Sequence, residues 1–401
     1  MSLAALAWRY LWARPLVAAL NLALLALGLG AIVFVRRVGE QVEHAVQRDL
    51  AGIDLVVGAK GSPLQLILAG VFHLDVPGGS IPLQTLATLR GHALVERVVP
   101  LSLGDSVRGF RIVGTTADYP ALYGATLAGG RWWQAELEAV VGADVAAATG
   151  LREGGRFVGV HGLGADGHAH GDTPYTVTGR LARCGCVLDR LVLTSLESVW
   201  RVHEDDVALD DADRAALEAE REVTLLLVGY RSPLAAAMLP RWVNAQAGLQ
   251  AAAPALESAR LLRIVGAGTE VLRGFGALMM AVAALSVFVA LMHAVRERQG
   301  DLAMLRMLGA PPVRVAALMV AEALWLMLLG VALGLAIGHG LTHLLGWYLA
   351  AQRSLAVTGA WWSPGVLGIA AAAFALALLA AAVPAWRALR LDVTALLQSP
   401  R

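Results

Sequence analysis

The chain has 401 residues, 57% of them hydrophobic and 16% charged, with a formal net charge of +1. So much apolar sequence, gathered into long runs, excludes a wholly soluble protein, and a near-neutral balance leaves no nucleic-acid partner expected. The net charge hides a split: residues 36–271 carry 21 basic and 27 acidic residues, a net of −6, and the rest carries 11 basic and 4 acidic, a net of +7.

Met1–Pro15 reads as a helix lying along the cytoplasmic face of a bilayer. Leu3, Leu6, Ala7, Tyr10 and Leu11 share one side, and Trp8 and Trp12 are interface anchors. A frayed extension of the first span is the competing reading. Four apolar runs follow, at 16–35, 274–295, 315–339 and 364–385. Each is long enough to cross a hydrocarbon core of about 30 Å as a helix. The only charge inside them is Glu322, with Arg314 two turns back as its expected partner. No small-residue cleavage site precedes Arg36, so the first run is expected to stay as a span rather than leave as a signal. The basic residues Arg9, Arg14, Arg296, Arg298, Arg306, Arg314, Arg387 and Arg390 flank the spans on one side. The positive-inside rule then puts both termini and the 296–314 loop in the cytoplasm, and 36–271 and the 340–363 loop outside.

The 36–271 segment interleaves short β-branched runs (54–57, 110–113, 139–141, 156–160, 175–178, 191–194, 223–228) with helical stretches (41–51, 84–91, 144–149, 212–222, 233–247). The expectation is an extracytoplasmic α+β domain between spans one and two. Helical flanks at 36–50 and 256–273 would continue those spans as a stalk. The fold class is therefore an α-helical membrane protein with four transmembrane helices in a 1+3 layout plus this domain.

In the 296–314 loop, Gln299–Leu308 is apolar on Leu302, Leu305 and Leu308, and Gly309 with Pro311 and Pro312 marks its stop. The stripe has no obvious cover in the chain. It fits a partner groove, with Arg298, Asp301 and Arg306 alongside, or else the inner leaflet. Gly330, Gly334 and Gly338 form a small-xxx-small ladder that lets helices approach closely, without saying which.

His161, His168 and His170, with Cys184 and Cys186, are the metal-like residues, and an acidic stretch from His203 to Asp213 follows. His-x-His and Cys-x-Cys can ligate Zn²⁺ or Cu⁺. The spacing matches no standard zinc signature, and a solvated loop or a disulfide stays open. The sequence holds no HExxH, no GxSxG and no GxxxxGK[ST], so no enzymatic role is expected of this chain and no ATP site within it. The acidic residues of 204–222 read as a solvated helix face.

Several stretches resemble one family. LAWRYLWARP (6–15), GTTADYPALYGATLAGGRWW (114–133) with EAVVGADVAAATGLREGGRF (138–157), RERQGDLAMLRMLGAPPVRV (296–315) and VPAWRALRLDVTALL (383–397) are similar to the MacB/FtsX/LolC-type permeases of ABC transporters. This chain has Asp301 where the family usually has Glu. The resemblance implies a bacterial inner-membrane permease with a MacB-like periplasmic domain. It would pair with a separate ATPase that binds ATP and Mg²⁺, and with a second permease as homodimer or heterodimer. Residues 298, 301, 302, 305, 306, 308 and 309 would form the ATPase-coupling helix. Export or extraction of a lipoprotein, peptide or other amphiphile is the implied task, with a periplasmic adaptor or lipoprotein as partner. The alternatives are an FtsX-like subunit activating cell-wall hydrolases and a metal-responsive receptor.

Overall fold

The computed structural model describes residues 2–50, 52–162, 173–207, 210–351, 357–360 and 363–390. In chain order the helices are α1 (Leu3–Trp12), α2 (Pro15–Asp49), α3 (Pro63–Gly70), α4 (Gln84–Arg90), α5 (Asp118–Leu122), α6 (Ala143–Thr149), α7 (Leu196–Val207), α8 (Asp211–Ala219), α9 (Pro233–Asn244), α10 (Pro254–Glu297), α11 (Gln299–Met307), α12 (Pro312–Ala351) and α13 (Gly365–Leu389). The strands are β1 (Leu55–Ala59), β2 (Ile81–Pro82), β3 (Val95–Val107), β4 (Phe110–Thr115), β5 (Leu127–Gly130), β6 (Glu138–Val141), β7 (Arg156–Phe157), β8 (Val160–His161), β9 (Tyr175–Leu181), β10 (Leu191–Ser195), β11 (Glu222–Val223), β12 (Leu225–Tyr230) and β13 (Leu249–Ala252). The chain divides into a helical unit (1–42, 264–350, 357–401) and a second unit (43–263, 351–356).

In the helical unit, α2, α10, α12 and α13 are long and apolar enough to cross a membrane. The glycine ladder packs against the first span. A Cβ at Gly334 would lie 2.6 Å from Cδ2 of Leu29, and one at Gly338 would lie 2.7 Å from Cγ1 of Val33. The other side of α2 meets α10 just as closely, with a Cβ at Gly276 falling 2.6 Å from Ile32. Small residues here let the backbones approach, which is how membrane helices gain packing without a hydrophobic drive. Helix α1 is separate from the first span. Ser2 caps it by accepting from the Ala5 N–H (3.3 Å), and Ala7 and Leu11 are buried. Trp8 packs edge-on against Trp325 (5.1 Å), whose indole donates to the Ala4 carbonyl (3.1 Å).

Arg37 is fully buried. Its guanidinium donates to Nε2 of His339 (2.9 Å) and to the Gly359 carbonyl (2.9 Å). Gln41 bonds both backbone groups of Thr358, accepting from its N–H at 2.8 Å. These contacts tie the end of the first span to the connection between α12 and α13.

The second unit is α+β. Eleven strands form one mixed sheet with the path β13-β1-β12-β3-β4-β10-β6-β9-β5, β7 pairing β9 and β8 pairing β3. The β4–β10 and β6–β9 pairs are parallel. One apolar cluster on this sheet takes in Val56, Ile67, Val99, Val113, Leu188, Leu193 and Leu227, and Val46 and Leu50 pack against it. The last turns of α2 thus belong to this domain. The Asp49 carboxylate accepts the Val187 N–H (2.9 Å), and the Tyr123 hydroxyl donates to the Asp49 carbonyl (3.0 Å).

Candidate functional site

Helix α11 follows α10 after a break at Arg298. It ends as the glycine predicts: Gly309 has φ +92°, and Ala310 N–H donates to the Leu305 carbonyl (3.1 Å). The expected open stripe is not open. Leu302 is fully buried, clustered with Ala7, Val295, Val315, Met319 and Ala388, and Leu305 packs half-buried against that cluster. The cover comes from α1, α10, α12 and α13. What α11 leaves exposed is Met304 and Met307, each 56% accessible, and Leu308 at 82%. Asp301 is exposed on the same side.

Arg298 also differs from its expected role. Instead of facing outward it donates to Oε1 of Glu322 (3.0 Å) and to the Tyr10 carbonyl (3.0 Å), with its guanidinium 4.3 Å above the Tyr10 ring. Glu322 therefore pairs with Arg298 rather than Arg314. The break at residue 298 turns this side chain back over α12. One buried ion pair so fastens α1, α11 and α12 to the end of α10. Arg14 and Glu297 form a second, exposed pair. Arg306 is half-buried.

In the second unit, Cys184 and Cys186 form a disulfide with each other. This corrects the metal reading for both, since ligation needs the thiolate. Asp189 holds the disulfide loop by accepting from the N–H groups of Cys184 (3.0 Å) and Gly185 (2.7 Å). His168 and His170 lie outside the described residues. His161 does join other ligand-type groups, but they are Asp105 and His203, and their ligand atoms lie within 4.8 Å of one another. Asp105, in β3, sits directly opposite His161, in β8. His203 comes from α7, where Leu196, Val199 and Val202 face the sheet and are buried.

Asp105 is only 3% exposed, and its Oδ1 lies 3.4 Å from His161 Nδ1 and 3.7 Å from His203 Nε2. His203 Nδ1 is 2.8 Å from the Val199 carbonyl, which can only accept, so Nδ1 carries the proton and Nε2 faces Asp105. Gly104 borders both rings: a Cβ there would make ordinary contact with His203 Nε2 at 3.5 Å. His161 and His203 line a cleft together with Trp200, Glu204 and Arg221, with Asp105 buried beside them. Arg221 holds Glu204 through two bonds of 2.7 and 2.9 Å. Burial, and next the charge of Asp105, push the Tyr175 phenol above its usual range. Asp105 escaped the sequence reading because it lies in a strand that reading did not find. His203 was visible only as the start of an acidic stretch.

Four apolar helices, with an α+β domain between the first and second, define a multi-pass membrane protein of permease architecture. Residues 273–393 match the FtsX-like permease C-terminal family, and residues 18–225 match the MacB-like periplasmic core domain. The chain belongs to the MacB/FtsX-type ABC transporter permeases. It is similar to the crystal structure of the periplasmic region of MacB from Actinobacillus actinomycetemcomitans, at 10% identity over 54% of this chain and 97% of that one, with a TM-score of 0.35. It is also similar to the extracellular domain of the noncanonic ABC-type transporter YknZ from Gram-positive bacteria, at 13% identity over 50% and 98%, with a TM-score of 0.30. No curated protein sequence matches. Members of this family work with an ABC ATPase.

Proposed function

We propose that this chain is a non-catalytic subunit that carries ATP-driven motion across a bacterial inner membrane to its extracytoplasmic domain. ATP and Mg²⁺ are bound by the partner ATPase, and the chain works beside a second permease copy or homologue. The task is export or extraction of an amphiphile such as a lipoprotein or peptide. One observation carries this reading: α11 turns Met304, Met307 and Leu308 outward while Leu302 and the Arg298–Glu322 pair anchor its other side in the helical unit. A surface that is apolar outside and fastened inside is what a docking handle needs. The basic residues around α1, α11 and α13 favour the cytoplasmic side for this face. A reporter fused at Gly309 is expected to show cytoplasmic activity, and periplasmic activity there would reverse the orientation.

The docking surface is tested by co-expression with the cognate ATPase and co-purification in detergent, where no bilayer competes. Met304→Glu and Leu308→Glu are expected to cut recovery of the ATPase at least about 10-fold. An unpaired charge in a buried apolar contact costs several kcal/mol, and about 1.4 kcal/mol is a decade of affinity. Leu302→Asp is expected to lower the yield of folded chain instead. Full recovery of the ATPase with both glutamate variants would remove α11 as the dock.

A further inference from the structure

We propose that Asp105, His161 and His203 form a binding site for a divalent transition-metal ion, with Zn²⁺ the ion that fits, in the extracytoplasmic domain. Donor type comes first. One carboxylate and two imidazoles are an O/N/N set that suits Zn²⁺ and its neighbours, whereas Ca²⁺ and Mg²⁺ prefer all-oxygen sites.

Spacing comes second. The 3.4 and 3.7 Å separations between the Asp105 oxygen and the two ring nitrogens are longer than a direct N–H···O bond, at about 2.7–3.2 Å. The first equals, and the second approaches, what an ion in the middle requires: two donors about 2.0–2.1 Å from a tetrahedral Zn²⁺ are ~3.4 Å apart. A pair packed only for hydrogen bonding closes further, as Arg221 and Glu204 do at 2.7 Å in the same cleft.

Orientation comes third. Ligating histidines usually donate their second ring N–H to a carbonyl or carboxylate, which fixes tautomer and ring angle. His203 does this through Val199, leaving Nε2 toward Asp105. The three groups are held by different elements: a buried strand, its cross-strand partner and a helix packed on the sheet. An ion there joins β3, β8 and α7. His161 and His203 line the cleft that runs past Trp200, so an ion held by them is reachable from it.

The test uses the full-length chain in detergent, stripped with a chelator and titrated with Zn²⁺ by calorimetry. Co²⁺ is added in parallel as a spectroscopic probe. Saturable binding of one Zn²⁺ per chain is expected, with visible Co²⁺ absorption characteristic of low-coordinate N/O ligation. His203→Ala and Asp105→Asn are each expected to weaken Zn²⁺ binding at least about 10-fold and to abolish the Co²⁺ spectrum. Asp105 is buried, so its exchange endangers the fold. His161 has a side chain 61% exposed, and His161→Ala gives the same readout without that risk. Absence of stoichiometric Zn²⁺ binding would overturn the site. So would a His161→Ala/His203→Ala double variant that keeps wild-type affinity and spectrum. Neither result depends on the ATPase.

Discussion

The helical unit and the α+β domain each bury a carboxylate, and they complete it differently. In the helical unit, Glu322 meets Arg298 at 3.0 Å, and Arg298 also satisfies the Tyr10 carbonyl and covers its ring. That charge is closed on all sides, and its effect is to pin helices together. In the domain, the buried Asp105 faces two imidazoles at 3.4 and 3.7 Å, and those two rings line a cleft. A closed pair has no room for a ligand; a spaced trio does. The same chemistry, a carboxylate with cationic or imidazole neighbours, serves fastening in one unit and recognition in the other.

The largest effect that can break this contrast lies in the helical unit. Removing one member of a buried pair strands the other, at a cost of about 3–5 kcal/mol. Glu322→Ala is expected to lower the thermal midpoint of the purified chain sharply. The double change Arg298→Met with Glu322→Leu, apolar and of similar volume, is expected to recover most of it. A Glu322→Ala chain that melts with wild type would show that the pair fastens nothing. The Zn²⁺ titration of Asp105, His161 and His203 probes the other half of the contrast.

A smaller effect sharpens it with a third kind of buried titratable group, one kept neutral. His73 is enclosed and bonds Tyr119 Oη at 2.8 Å. Burial first, then Arg111 and Arg190, hold its imidazole well below the usual value. Its unfolded value is about 6.5, so the unfolded chain binds the extra proton below that pH. The stability it supports is present above about pH 6.5 and is lost as pH falls. His73→Asn, chosen because φ is +53° at this position and Asn accepts positive φ, is expected to be less stable than wild type at pH 7.5. The gap is expected to narrow toward pH 5. A gap constant across that range in paired thermal melts would mean that His73 titrates as if exposed.

The membrane architecture was legible because a span needs some twenty apolar residues, a signal that survives without knowledge of partners. Likewise Gly309 announced the end of α11, since a left-handed residue must close the helix there. Other features were hidden for physical reasons. Strand β3 contains Pro100 and Gly104, two residues that argue against a central strand, yet it lies between β12 and β4. Helix α3, PLQLILAG, is apolar on nearly all sides and offers no period to read. Leu302 read as exposed because its cover includes Ala7 and Ala388, far away in sequence. The Asp105, His161 and His203 set is spread over nearly a hundred residues, beyond any spacing rule. The Cys184–Cys186 pair drew attention as ligands and proved to be bonded to each other.

Helix α2 runs unbroken for 35 residues, from Pro15 at its first turn to Asp49, whose carboxylate accepts the Val187 N–H. At 1.5 Å of rise and 100° of turn per residue, such a rod is about 52 Å long and makes nearly ten turns. Adding one residue after Gly39 would lengthen the rod by only about 1.5 Å but would turn everything beyond it by about 100°, whereas seven added residues would leave it within about 20° of its starting angle. The angular relation between side chains at the two ends of this helix thus depends on its length modulo its own period, a property that no single side chain expresses.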